Sequence, residues 1–143
     1  MKRNILLFMI TIMLMAVLSG AVSAQTQEPV FKDLPGAGRK CWINETRYFT
    51  WEFDKSPKIG TVILVVKLFD RNGNRLNDMQ ITGRTDMPLM RGAHDSGDVA
   101  LKLNRAGNYL LPVDIVMPGK WEVRLTFSKG GTAVFFGRIV FDV

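Results

Sequence analysis

The sequence predicts an all-β domain built from two packed sheets, preceded by an export signal. Three features support this: apolar and polar residues alternate along several short segments, turns rich in Gly, Pro and Asn separate those segments, and no helical periodicity follows the first two dozen residues. About seven such segments occur at the spacing expected of a two-sheet sandwich. The predicted fold is therefore an immunoglobulin-like β-sandwich, and a small β-barrel is the alternative.

Residues 1–24 have the composition of a signal peptide. Two basic residues precede an apolar run over residues 5–22, and small residues follow at 22–24. We expect cleavage after Ala24, which places the rest of the chain in the periplasm or outside the cell. The apolar run is also close to the roughly 18 to 20 residues that span a bilayer. An uncleaved N-terminal anchor is thus the alternative, and only then would the protein be attached to a membrane.

Charge and cysteine content limit the partners that are expected. The chain has a formal net charge of +6, but its Lys and Arg residues are scattered singly along the predicted strands. This distribution is typical of a solvated surface and, together with export, sets nucleic-acid binding aside. Cys41 is the only cysteine, so no intramolecular disulfide can form. It is either a small buried hydrophobe, or a soft metal ligand or free thiol that pairs with another protein.

The first half of the chain predicts two strands and a tight turn. Residues 25–40 are polar and contain Pro and Gly, so they are expected to form a flexible lead-in with little structure, before a sandwich domain over residues 41–143. Aromatic residues that share one face predict a strand within residues 41–53. A nearly continuous β-branched run predicts a central strand at residues 62–69. The Asn72-Gly73 pair that follows predicts a turn with positive φ at both positions.

The return from that turn is less regular. Residues 75–84 are expected to form an edge strand or an irregular crossing, because few of them are apolar. Residues 85–97 predict a loop, and residues 99–103 predict a short strand.

The strongest local pattern lies in residues 107–127. Apolar side chains alternate with polar ones on both sides of Met117-Pro118-Gly119, where Pro fixes φ and Gly tolerates positive φ. The pattern predicts a β-hairpin with its turn at these three residues. A last strand is expected at residues 132–143, with a bulge at Gly137-Arg138.

No arrangement typical of an enzyme is present in the sequence. His94 is the only histidine, no Ser or Cys lies in a nucleophile elbow, and no Gly-rich phosphate loop leads from a strand into a helix. We therefore expect a protein that binds rather than catalyses.

One cluster of side chains suggests metal chemistry. Met87, Met90 and His94 lie in the predicted loop, and Met117 occupies the turn of the predicted hairpin. Thioether sulfur together with imidazole suits Cu(I) better than the hard cations. The sequence therefore offers a Cu(I) site made of Met87, Met90 and His94, with Met117 as a further ligand. In the alternative, the two loop methionines close one end of the sandwich and His94 faces solvent, without metal.

The order of residues between 87 and 127 resembles the YtkA-like domain family, which is related to FixH-type proteins of respiratory-oxidase assembly. The shared order is Met-x-x-Met, a His, a short strand, Gly-x-Tyr, and Met-Pro-Gly-x-Trp. With the early hairpin included, the similarity covers roughly residues 61–127. It implies an exported or membrane-tethered immunoglobulin-like module without known catalysis, often found near copper-handling or efflux components. A metal role would extend only to Met87, Met90 and His94.

Two functions from different classes follow from the sequence. The first is an exported, non-catalytic binding module of the cell envelope, which contacts another envelope protein through a strand edge or loop face and needs no cofactor. The second is a copper-binding accessory protein that uses the Met/His loop in metal handling or respiratory-oxidase assembly.

Overall fold

The computed structural model describes residues 27–143 as a two-sheet β-sandwich without helices. The strands are β1 (Lys32–Asp33), β2 (Cys41–Asn44), β3 (Arg47–Phe53), β4 (Gly60–Asp70), β5 (Arg75–Leu76), β6 (Gln80–Asp86), β7 (Val99–Ala100), β8 (Lys102–Leu103), β9 (Tyr109–Ile115), β10 (Lys120–Lys129) and β11 (Thr132–Asp142). Four of them have two residues each, and the longer strands match the predicted number of about seven. The predicted signal or anchor at residues 1–24 lies outside the described residues. Within residues 27–143, no helix has the length and apolarity that a membrane crossing requires.

The two sheets are formed by strands that are far apart in the chain. One sheet has five strands in the order β1-β11-β10-β6-β7, and the other has the order β2-β3-β4-β9-β8, with β5 paired to β4. β4 is central, as predicted, because it pairs with β3 on one side and with β9 on the other. The prediction of an all-β sandwich is confirmed.

The predicted hairpin over residues 107–127 is wrong. β9 pairs with β4 and β8 in the six-stranded sheet, whereas β10 pairs with β6 and β11 in the five-stranded sheet. Both strands have the predicted alternation, but their apolar faces lie opposite each other across the core. The link at residues 116–119 therefore crosses the roughly 10 Å between the sheets. Gly119 ends this link by exchanging two main-chain hydrogen bonds with Val143, at 2.8 and 3.0 Å.

Other local predictions need smaller corrections. After β5 the chain crosses to the five-stranded sheet, where β6 lies between β10 and β7 rather than at the edge. The predicted strand at residues 99–103 divides into β7 and β8, which belong to different sheets. In the Asn72-Gly73 turn only Gly73 has a positive φ, of 89°.

The bulge in the last strand lies at Val134, not at Gly137. Phe127 pairs with Phe135 while Ser128 pairs with Ala133, so Val134 is the extra residue. Gly137 pairs regularly with Leu125. A Cβ atom on Gly137 would lie 2.8 Å from a methyl carbon of Leu34, so the glycine makes room for the lead-in.

The core fills the space between the sheets with aromatic and aliphatic side chains. Phe49 of β3 packs on Phe127 of β10 with ring centroids 4.4 Å apart. Gly83 of β6 is close-packed against Leu111, since an added Cβ would overlap that side chain. At one end, the Tyr109 hydroxyl donates a 2.9 Å hydrogen bond to the carbonyl of Met79. This bond fixes the crossing from β5 to β6.

Candidate functional site

The outer face of the five-stranded sheet carries a row of three arginines. Arg124 of β10 pairs directly with Arg84 of β6 on one side and with Arg138 of β11 on the other. Like charges at directly opposed positions destabilise a sheet unless other groups compensate them. The compensating groups are carboxylates, and one of them is fully buried.

Glu122 of β10 lies two residues before Arg124 and is 0% exposed. Its Oε1 accepts a 2.7 Å hydrogen bond from Nη1 of Arg91, which reaches over the sheet from the loop after β6. Nη2 of Arg124 lies 2.7 Å from the same oxygen. Nη1 of Arg138 lies 3.7 Å from the other oxygen, Oε2, which has no hydrogen-bond partner among the described residues.

This arrangement decides where the arginine side chains point. Moving a carboxylate out of water costs several kcal/mol, and only good geometry to cationic donors offsets that cost. The three partners of Glu122 remain partly in water, with side chains 49% exposed for Arg91, 25% for Arg124 and 32% for Arg138. Arg91 and Arg124 each place one nitrogen 2.7 Å from Oε1 of Glu122, and each guanidinium has further N–H donors. We call Arg84, Arg91, Glu122, Arg124 and Arg138 the charged face.

Hydrogen bonds hold the loop at residues 87–98 along one side of the charged face. The carboxylate of Asp86, at the end of β6, accepts hydrogen bonds from the main-chain N–H groups of Met87 (2.8 Å) and Gly92 (3.0 Å). Ser96 returns to β6, where its hydroxyl accepts a 2.8 Å hydrogen bond from the N–H of Thr85. These contacts hold the loop so that Arg91 reaches Glu122.

Arg84 is paired with Asp95 of this loop through two nitrogens of the guanidinium. The hydrogen bonds from Arg84, followed by one from the N–H of Gly97, lower the pKa of Asp95 to about 2. The pair in turn raises the pKa of Arg84.

The lead-in lies along the opposite side of the charged face. β1 pairs in parallel with β11, so that Asp33 lies beside Arg138 and accepts a 2.7 Å hydrogen bond from its Nε. Phe31 packs edge-on against Phe136 of β11, with ring centroids 5.5 Å apart. The lead-in, expected to have little structure, is therefore in contact with the sheet along residues 31–34.

A cleft of about 730 Å³ lies over the charged face. Its walls carry both signs of charge, with arginines from the sheet and carboxylates from the loop and the lead-in. The charged residues that line it are Glu28, Arg84, Asp86, Arg91, Asp95, Asp98, Arg124 and Arg138. Such a surface suits a partner that offers charges of both signs as well as hydrogen-bond acceptors.

The residues predicted to bind metal lie at the end of the sandwich where the chain crosses from β9 to β10. Met87 is buried, and its methyl carbon would lie 2.9 Å from a Cβ on Gly119. Trp121 donates a 3.1 Å hydrogen bond to the carbonyl of Met117, and its ring lies 5.8 Å from the ring of His94. Met87 thus packs at the link, while the main-chain carbonyl of Met117 and the ring of His94 both lie beside Trp121. Met90 is 45% exposed.

His94 also borders a second, smaller cleft of about 410 Å³, together with Trp121, Asp114 and Ser96. Among residues 27–143, no three His, Cys, Asp or Glu side chains lie close enough to share a metal ion.

Cys41 lies elsewhere in the molecule. It pairs with Phe49, which pairs with Leu68 of β4, whereas the methionine end of β4 is at Gly60. Roughly 26 Å of strand separates these two points at about 3.3 Å per residue. Cys41 is 4% exposed, and burial raises the pKa of its thiol to about 11. The thiol is therefore protonated at neutral pH, and it is too distant to bind one ion together with Met87 and His94.

The pairing of Arg84 with Asp95 predicts a measurable titration. Because the pKa of Asp95 is depressed in the folded state, the pair stabilises the loop fully above the ordinary pKa of 3.8, and this contribution is lost as the pH falls toward about 2. NMR titration of the Asp95 carboxyl should give a midpoint near 2 that moves toward 3.8 in Arg84→Gln. Arg71→Gln, in an exposed turn, is the control. A midpoint that is the same in both variants would contradict the assigned cause.

Comparison with known proteins identifies a family for this chain. A family model described as YtkA-like matches residues 48–126, which is more than half of the chain. The match begins at the second residue of β3, further toward the N-terminus than the resemblance at residues 61–127, and it ends within β10. It includes Arg84, Arg91, Glu122 and Arg124, whereas the lead-in and β11 lie outside it. No curated protein and no solved structure shows significant similarity to the chain. The chain belongs to the YtkA-like family.

Proposed function

We propose that the protein is an exported, non-catalytic binding module of the cell envelope, and that it binds a protein partner through the charged face. The observation that carries this proposal is the fully buried carboxylate of Glu122, held by Arg91 and Arg124. Export rests on the predicted signal at residues 1–24.

Fixed arginines favour binding because little side-chain entropy remains to be lost. Each guanidinium carries five N–H donors. Arg91 and Arg124 each use one nitrogen in the 2.7 Å contact with Glu122. Arginine is enriched at the centres of protein interfaces, where its planar donors pair with carboxylates and main-chain carbonyls. The charged face is therefore pre-organised for a partner.

The mixture of charges points to a protein partner rather than to a polyanion such as a nucleic acid. Asp95 and Asp33 stand at the two sides of the arginine row, paired with Arg84 and Arg138. A nucleic-acid groove requires uncompensated basic residues along a phosphate track. A protein surface can offer both signs and so match this pattern.

A second candidate function is Cu(I) binding. The observation that favours it is that Met87, Met117 and His94 lie at the same end of the sandwich, beside the link at residues 116–119 or Trp121. Two thioethers and an imidazole form a donor set that suits Cu(I), and Met90 is close enough in the chain to close over the site as a further ligand. The metal would then be held at the end of the sandwich, away from the charged face.

Site-specific photo-cross-linking in the source cells tests the first proposal. A cross-linking residue at Thr126, which lines the cleft, should trap a discrete adduct. Thr50, a half-buried residue on β3 in the other sheet, is the matched control and should not trap it. Arg124→Gln should reduce the Thr126 adduct about tenfold, as expected for loss of an interface arginine. Identical adducts from both positions, or an adduct that Arg124→Gln leaves unchanged, would reject the charged face as the contact surface.

Titration with Cu(I) under reducing conditions, against a competing chelator, tests the second candidate. Replacing two ligands by Met90→Leu and His94→Gln should weaken Cu(I) binding by at least about tenfold, because soft donors provide the affinity. Met79→Leu is the control, since Met79 is buried at the opposite end of the sandwich. Binding no tighter than the chelator, or equal binding by the double variant and the control, rules out the copper site.

A further inference from the structure

We propose that the segment at residues 28–34, called the strap here, is a displaceable cover on β11. The groove beneath it takes an extended segment of the partner protein with the pattern aromatic, any residue, acidic, aliphatic. This inference rests on the proposed function, because it states how the partner reaches the charged face. It adds a strand-pairing surface and a recognition pattern.

Three residues of the strap fill separate places in the groove. Phe31 packs against Phe136 and lies 5.5 Å beneath the guanidinium of Arg124. Asp33 accepts the hydrogen bond from Arg138. Leu34 covers Gly137, where a Cβ would lie 2.8 Å from its methyl carbon, and its N–H donates to the carbonyl of Arg138 at 2.8 Å. The groove thus has three subsites in a row along β11: one for an aromatic side chain, one that is basic, and one that is small and apolar.

The strap is held weakly compared with the other strands. β1 has two residues, whereas β11 has eleven, so most of the outer edge of β11 has no strand beside it. Both residues of β1 are exposed, and the carboxylate of Asp33 is 70% exposed. An ion pair in such a place contributes little to stability. Val134 and Val140, 46% and 42% exposed, extend the apolar surface on either side of the strap.

Glu122 lowers the free-energy cost of displacing the strap from β11. Arg138 lies between the carboxylate of Asp33, at 2.7 Å, and Oε2 of Glu122, at 3.7 Å. That oxygen is buried and has no hydrogen-bond partner among the described residues. When Asp33 leaves, Arg138 can turn to Oε2 and supply the donor that the buried carboxylate needs. The loss of one ion pair is therefore offset by a gain in the core of the charged face.

A partner strand could use the same places with more contacts. Addition of an extended segment to an exposed sheet edge gives main-chain hydrogen bonds for affinity and side-chain places for specificity. The strap itself defines the pattern, with an aromatic residue at the place of Phe31, an acid at Asp33 and an aliphatic residue at Leu34. A segment longer than β1, running parallel to β11, would also cover Val134 and Val140.

Exchange of straps between two copies is less favoured. The carbonyl of Pro35 accepts a 2.9 Å hydrogen bond from Nε1 of Trp51, and the N–H of Gly38 donates a 2.8 Å hydrogen bond to the carbonyl of Trp51. The chain that follows the strap is thus tied to β3 of the same molecule. A released strap stays beside its own groove, where it competes with the partner segment.

The test uses a fluorescent peptide that copies residues 27–36 and the exported protein with its own strap in place. In the variant with Phe31→Ala and Asp33→Asn, the strap loses its aromatic and ionic contacts, and the apparent Kd of the peptide should fall about tenfold below that for the unchanged protein. The control Asp142→Asn removes an equal charge from the exposed pair with Lys120 and should leave the Kd unchanged. A peptide that carries the same two changes should bind at least about tenfold more weakly.

A second readout keeps the test independent of variant folding. In the unchanged protein, the amide of Leu34 should exchange with solvent hydrogen faster than the amide of Val66 in β4, because the strap opens locally. Equal protection of the two amides would overturn the proposal.

The remaining outcomes separate this inference from the proposed function. We call the variant with Phe31→Ala and Asp33→Asn the loosened variant. If it does not bind the peptide while Thr126 still traps an adduct, the strap groove is rejected and the charged face is kept. If the peptide binds as expected while Thr126 traps nothing, the groove is kept and the charged face is rejected as the contact surface. A doubled mass of the loosened variant in solution would show that a second copy of this chain occupies the groove. That result would overturn the proposal that a segment of a partner protein binds there.

Discussion

Burial of one carboxylate is the constraint on which the charged side of this molecule depends. Glu122 is 0% exposed, and each of its cationic partners comes from a different element: Arg91 from the loop after β6, Arg124 from β10 and Arg138 from β11. A buried carboxylate without such partners would cost several kcal/mol. This carboxylate therefore joins the loop after β6 to two strands of the five-stranded sheet. The six-stranded sheet has no such group among its buried residues and rests on apolar packing.

The alternation in the sequence predicted which side chains face the core but not which strands are neighbours. Val113 and Trp121 are buried as expected, yet β9 and β10 lie in different sheets. A period of two residues is a local property, whereas strand pairing is decided by contacts between distant segments. A Pro-Gly link that turns within one sheet has the same composition as one that crosses to the other sheet. The tie between Gly119 and Val143, which stabilises the crossing, joins residues that no local pattern connects.

The two candidate sites differ in how much of each could be predicted from the sequence. The sequence marked Met87, His94 and Met117, and the structure places them at one end of the sandwich, but the burial of Met87 and the exposure of Met90 depend on how the loop turns. Glu122 occupies a polar position in the alternation, which gives no sign of its burial. Its carboxylate accepts a hydrogen bond from Arg91, thirty-one residues earlier in the chain. Single arginines in three different strands were the available signal, and only the strand order brings them into one row.

The most direct measurement is the free energy of unfolding of Glu122→Gln, compared with Glu52→Gln. Glu52 is an exposed glutamate of β3 that is paired with Lys67 of β4, so each variant removes one negative charge that a strand residue contributes to an ion pair. If the buried carboxylate organises the charged face, urea denaturation should show a loss of about 1 to 3 kcal/mol for Glu122→Gln, because three arginines lose their common acceptor. The Glu52→Gln variant should stay within about 0.5 kcal/mol of the unchanged protein. Equal, small effects of the two substitutions would contradict the central role assigned to Glu122.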